Sequence, residues 1–168
     1  MITNYLPKFK VLEPNNLTGL RNGHVLAQME AAETLASITV GGARFIQNGT
    51  IASLDADGKV GNYVAGTQPF VIFNEEIGYI LQDPKYYATQ VGVECPRAIA
   101  LYVGDTITTD NVSGTIDTAK YAKVVDGVIT LQTAADTNSM FIAKPTTLAD
   151  GAKAVELLFY RTPASASV

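Results

Sequence analysis

Few residues in this chain have types that could do chemistry, and none stands in a pattern that completes a site. Asp55-Ala-Asp57-Gly58 opens like a calcium loop. An EF-hand loop starting at Asp55 needs glycine at its sixth position and a bidentate glutamate at its twelfth; Val60 and Gly66 stand there instead. Asp-Gly is turn chemistry, so a turn is the reading. His24 is the only histidine, which leaves no His-based metal pair and no Ser-His-Asp triad within one chain. It is expected to flank a turn. Cys95 has Arg97 as its only nearby base in sequence, too little to activate a thiolate, and is expected to be buried and inert. Glu75 and Glu76 are adjacent; on a strand they point to opposite faces and cannot flank one glycosidic bond. Gly41-Gly42 lacks the flanking residues of a phosphate loop. Asn16-Leu-Thr, Asn48-Gly-Thr and Asn111-Val-Ser are formal glycosylation sequons in a Thr- and Asn-rich sequence without a secretion signal. The tyrosines, eight against no tryptophan, have no basic frame for stacking nucleic-acid bases, so packing is their expected use. No catalytic, cofactor-binding or metal-ligating residue is assigned, and a non-enzymatic role is expected.

Composition points the same way. The 168 residues suit one domain with a substantial core, and 47% hydrophobic content excludes ordinary disorder. Charged residues make up only 17% of the chain, below the usual quarter, as is common where other subunits cover much of a surface. Twelve basic against 16 acidic residues give a net charge of −4, which speaks against a groove that tracks phosphates. One cysteine allows no internal disulfide. No window reaches the ~20 apolar residues of a membrane span, and the first residues lack a signal-length apolar run. Synthesis in a cytoplasm, with neither membrane nor nucleic acid as partner, is expected.

The elements are read from turns. Five Asn-Gly or Asp-Gly pairs punctuate short β-rich runs, a spacing that predicts an all-β sandwich or barrel built from hairpins. Residues 43–60 are the centre of that reading. Asn48-Gly49 predicts a type I′ hairpin that pairs Ile46 with Ile51 and Phe45 with Ala52, apolar on both faces and needing cover on both. Asp126-Gly127 predicts a second, with Val124 opposite Ile129 and Ala122 opposite Leu131. Phe70-Val-Ile-Phe73 reads as a buried strand, and 77–81, 89–94, 98–103 and 140–143 as further strands. In residues 154–161, Val155, Leu157 and Phe159 share one face, Leu158 and Tyr160 the other. Residues 17–36 are ambiguous: Asn22-Gly23 could close a hairpin pairing Leu20 with Val25, while Val25, Met29, Ala32 and Leu35 recur at helical spacing. The reading adopted is a strand over 24–29, with at most a short helix near 30–36.

Pro7 and Pro14 bias the leading residues toward extended conformation. Their apolar groups call for a surface, either an edge of the same domain or a neighbouring subunit. The expected organisation is an extended arm over 1–16, a single β-rich domain over 17–162 and a flexible tail over 163–168. Tyr5, Leu6, Phe9, Val11 and Leu12 of the arm, with Ile46 and Ile51 of the hairpin, are the expected partner interface.

These residues carry a family resemblance. Phe45-Ile-Gln-Asn-Gly-Thr-Ile-Ala-Ser-Leu-Asp-Ala-Asp-Gly-Lys-Val60 resembles a segment of the head decoration, or cement, proteins of tailed bacteriophages. Thr146-Thr-Leu-Ala-Asp-Gly-Ala-Lys-Ala-Val155 looks like their closing hairpin, and Leu101-Tyr-Val-Gly-Asp-Thr-Ile107 is similar to their Gly-Asp strand start. The resemblance implies a structural virion protein made in the host bacterial cytoplasm. It would bind the exterior of the capsid and hold the shell of major capsid protein together as a homo-oligomer, a trimer ahead of a dimer. A tail or baseplate component, or an adhesin-like binding module, would share the same short strands and Thr-rich surface.

Overall fold

Short runs with apolar residues on both sides need cover on both faces, and the chain supplies it by stacking three sheets. The structure, a computed structural model, describes residues 8–74 and 87–164. In chain order its strands are β1 (Leu12–Asn16), β2 (Val25–Leu26), β3 (Ile38–Val40), β4 (Ala43–Gln47), β5 (Ile51–Leu54), β6 (Val60–Asn62) and β7 (Phe70–Ile72). They continue as β8 (Ala88–Gln90), β9 (Ala98–Ala100), β10 (Thr106–Thr109), β11 (Val112–Ser113), β12 (Tyr121–Val125), β13 (Val128–Gln132), β14 (Ser139–Thr147) and β15 (Lys153–Phe159). A single helical turn, α1 (Thr18–Arg21), precedes β2, and a 3-10 turn (Ile116–Thr118) precedes β12. The fold is all-β, as the turn spacing predicts, and of sandwich type.

A seven-stranded sheet runs β1-β10-β15-β14-β12-β13-β11, a five-stranded sheet β2-β9-β7-β5-β6, and a three-stranded sheet β3-β4-β8. The five-stranded sheet lies in the middle. Its register sets Ile51, Val71 and Ile99 side by side, and they join Ile107, Ala122, Ile129, Phe141 and Leu157 of the seven-stranded sheet in one core. The alternate residues Ala52, Ile72 and Ala98 turn the other way, into a second core with Leu35, Ile46 and Val60. Burial on both faces is why Phe70-Val-Ile-Phe73 reads as an unbroken apolar run. Each fully buried Ile, Leu or Phe contributes about 1.5–3 kcal/mol of transfer free energy, so the two cores dominate stability.

The second predicted hairpin forms in the expected register: Val124 faces Ile129 and Ala122 faces Leu131, across a turn with φ of 49° at Asp126 and 79° at Gly127. Val155, Leu157 and Phe159 are buried, and Leu158 and Tyr160 are half-buried on the other face. The Asp150-Gly151 turn closes β14 onto β15, with Thr147 opposite Lys153.

The first predicted hairpin does not form. Thr50 N donates to Gln47 O at 3.3 Å and closes a turn, but β4 pairs with β3 and β8, whereas β5 pairs with β6 and β7. Among the described non-glycine residues only Asp126 has positive φ, so Asn48 lacks the backbone a type I′ turn requires. Its side chain is held elsewhere. Asn48 Nδ2 donates to Asn74 O at 2.9 Å and Asn48 Oδ1 accepts from Asn74 N at 2.8 Å. Gly49 N donates to Ile72 O at 2.9 Å, and Ile72 N to Thr50 O at 2.9 Å, so the chain leaves the turn paired with β7.

The leading segment is also corrected over residues 8–16. Leu12–Asn16 is an edge strand of the chain's own seven-stranded sheet, with Leu12 opposite Thr109 and Pro14 opposite Ile107. An edge tolerates the missing N–H of Pro14. Val11 N donates to Asp110 Oδ1 at 2.6 Å, Thr109 Oγ1 to Val11 O at 2.6 Å, and Lys10 N to Gln47 Oε1 at 3.0 Å. The short helix lies at 18–21 rather than near 30–36. Asp105, buried, accepts from Thr18 N at 2.9 Å and Thr18 Oγ1 at 2.6 Å, a cap supplied from β10's end of the chain. Residues 30–36 instead fasten to β6: Val60 N donates to Glu30 O at 2.9 Å and Ala32 N to Val60 O at 2.8 Å. The expected strand over 24–29 shrinks to Val25–Leu26. Residues 1–7, Glu75-Glu76, the expected strand over 77–81 and the tail beyond 164 lie outside the described residues.

Candidate interaction surface

The side chains expected to meet a partner are inside the chain's own core. Phe9, Val11, Leu12, Ile46 and Ile51 are all buried. Phe9 packs its ring on Phe45 with centroids 5.1 Å apart, Leu12 and Ile51 belong to the first core, and Ile46 belongs to the second. Ile46 and Ile51 do not face each other. The physical reason is the pairing of β1 with β10 and the parting of β4 from β5, which turn these groups inward. Tyr5 and Leu6 lie outside the described residues.

Side chains that could do chemistry hold loops. Asp55 Oδ1 accepts from Asp57 N at 3.0 Å and from Lys59 N at 2.8 Å, closing the β5–β6 turn. Lys59 reaches Glu30 at 3.2 Å, and the Glu30 carboxylate raises its pKa. His24 Nδ1 meets the Tyr102 hydroxyl at 2.5 Å, the two rings tilted with centroids 5.7 Å apart. Cys95 is exposed rather than buried, because the turn after β8 carries it to the surface. Among the described residues no three His, Cys, Asp or Glu side chains are placed to hold a metal ion, and no helix is long and apolar enough to cross a membrane.

A polar cluster surrounds Asp136. Its carboxylate takes Gln132 Nε2 at 2.6 Å, Lys123 Nζ at 3.1 Å and Asn138 N at 2.8 Å. The Gln132 amide first, then Lys123 and the Asn138 N–H, hold this carboxyl well below the ordinary range. Ser139 Oγ bonds to Gln132 Oε1 at 3.0 Å and accepts from Asp136 N at 2.8 Å. Arg161 Nε donates to Ser139 O at 2.8 Å. Every donor here is directed at the 132–139 loop, so the arrangement ties that loop and the chain after β15 to the sheet.

The outer face of the seven-stranded sheet carries an apolar row. Register sets Leu158, Ile142 and Tyr121 in one row across β15, β14 and β12. Ile142 is 44% exposed at the middle of the sheet. The neighbouring row pairs Lys144 with Glu156, so an apolar stripe is bordered by opposite charges. A cleft of about 290 Å³ lies among Tyr63, Lys123, Val125, Asn138, Met140 and Pro163. Val125 is exposed at its rim, as is neighbouring Val64, and burial pushes the Tyr63 phenol above its usual range. Strict alternation through Phe141-Ile142-Ala143 and Leu157-Leu158-Phe159 was the available signal for this row: when one face is core, a large aliphatic on the other is unexplained by the fold.

No protein-family model matches the chain, and neither a curated protein nor a solved structure matches it.

Proposed function

We propose that this chain is a structural virion protein that binds the outside of a bacteriophage head as a homo-oligomer and stabilises the shell of major capsid protein. The observation that carries the reading is a division of labour among its side chains. Asp55, Asp105, Asp136 and Asn48 are occupied in turns, a cap and a clamp, while Leu158, Ile142 and Tyr121 form an apolar row across the middle of a sheet face. A stiff body with an apolar contact row suits adhesion, where modest contacts per copy add up over many copies. The turn motifs at 45–60 and 146–155 support the same family. Cytoplasmic synthesis and a final place on the capsid exterior follow from this role.

The test is co-sedimentation with empty phage heads, comparing the wild-type chain with Ile142→Glu. Ile142 is exposed, so the variant keeps its circular dichroism spectrum and melting transition. Expected is binding by the wild type and loss of about tenfold or more in affinity for the variant, since a charge at the centre of a contact patch is strongly unfavourable. Equal binding by both removes the row from the interface. Unaided growth of the free protein into tubes favours a tail component.

A further inference from the structure

We propose that Asn22-Gly23 is a self-modifying site, at which asparagine cyclises onto its own backbone and loses ammonia, and that the fold withholds this chemistry from Asn48-Gly49. Water is the only co-reactant. The Gly23 backbone nitrogen, its proton taken by hydroxide, forms a C–N bond to Asn22 Cγ. The Cγ–Nδ2 bond breaks and the amide leaves as ammonia. Water then opens the five-membered imide at either carbonyl, giving aspartate or isoaspartate at position 22, with no oxidation or reduction.

The reaction needs an unencumbered following residue, a loose side-chain amide, a weakly held backbone N–H and room to swing. Asn22 offers each of these. Asn22 and Gly23 are exposed, and the Asn22 side-chain amide has no hydrogen bond among the described residues. Gly23 N reaches Leu20 O only at 3.4 Å. No atom lies within 4 Å of where a Gly23 Cβ would stand. At Asn48 all but the glycine are denied. The residue is 1% exposed, and both ends of its amide are bonded to the Asn74 backbone, at 2.9 and 2.8 Å. Asn48 O accepts from Asn111 Nδ2 at 2.9 Å. Gly49 N is tied to Ile72 O at 2.9 Å, and a Gly49 Cβ would stand 2.8 Å from Thr109 Oγ1.

The product alters a defined corner. Either form adds a negative charge to a chain already at −4. The isoaspartate form also lengthens the main chain between α1 and β2, where His24 N donates to Gly19 O at 2.7 Å and the His24 ring meets Tyr102.

Ageing the full-length protein in mildly alkaline buffer, with peptide mapping by mass spectrometry and enzymatic methylation of isoaspartate, tests this. Expected is early conversion at Asn22, with Asn48 slower by at least about tenfold because its reaction must wait for local opening. In concentrated urea the two rates converge, since both asparagines precede glycine. Asn22→Gln abolishes the early acidic species. Conversion of Asn48 as fast as Asn22 in the folded chain overturns the proposal, as does an Asn22 that stays intact while folded and converts only in urea.

Discussion

Asn48-Gly49 and Asp126-Gly127 carry the same local signal for a tight reversal, and the molecule uses them in opposite ways. At Asp126-Gly127 both residues adopt positive φ and β12 folds straight back onto β13. At Asn48-Gly49 only the glycine does, at 86°, and the flanking strands leave for different sheets. The difference lies in the first residue's surroundings. Asp126 is exposed and its backbone is free to take the left-handed form, whereas Asn48 is buried and its amide replaces a backbone partner for Asn74. A dipeptide specifies that the chain turns. Which strand it turns onto is chosen by groups far away in sequence.

Breaking the cores separates the two turns most strongly. Ile46→Ala and Ile51→Ala are each expected to lose about 2–5 kcal/mol in urea denaturation, as buried large-to-small changes do. Because the two side chains sit in separate cores, the double variant is expected to be additive within about 0.5 kcal/mol. The directly opposed pair Val124 and Ile129 is expected to show coupling of about 0.2–1 kcal/mol when both are truncated. Coupling at 46 and 51 equal to that at 124 and 129 would restore the first hairpin.

Asn48→Ala comes next. It leaves the N–H and carbonyl of half-buried Asn74 without their partners, and a loss of about 1–3 kcal/mol is expected. Acid sharpens the second region. The Asp136 carboxyl has a lowered pKa in the folded chain, so the stability it supplies is present above the unfolded carboxylate range and fades as pH falls through that range toward its folded value. Asp136→Asn is expected to flatten the acid limb of a stability-versus-pH curve, and an unchanged limb would detach the clamp from stability. The smallest effect belongs to Asp126→Asn, expected within about 0.5 kcal/mol of wild type because asparagine also tolerates positive φ.

Much of the β body was legible. The Asp126-Gly127 register, the buried run at Phe70 and the face shared by Val155, Leu157 and Phe159 follow from turn chemistry and period-two alternation, which act over neighbouring residues. The candidate surface was half legible. Alternation separates Leu158 from Val155, Leu157 and Phe159, but the row it forms with Ile142 and Tyr121 exists only once β12, β14 and β15 lie side by side. Phe9, Val11, Leu12, Ile46 and Ile51 were legible as apolar, and their apolarity could not say whether the cover was a neighbour or the chain itself.

Alone, the sequence determined an all-β chain, most of its reversals and which side chains share a face along its long strands, because each depends on side chains a few positions apart. Tertiary structure decided that Leu12–Asn16 joins the sheet beside β10, that Asn48 bridges to Asn74 and Asn111, and that the five-stranded sheet is covered twice. Those outcomes rest on bonds such as Thr109 Oγ1 to Val11 O, between residues 98 positions apart, where closing the intervening chain is offset only when many such contacts form together.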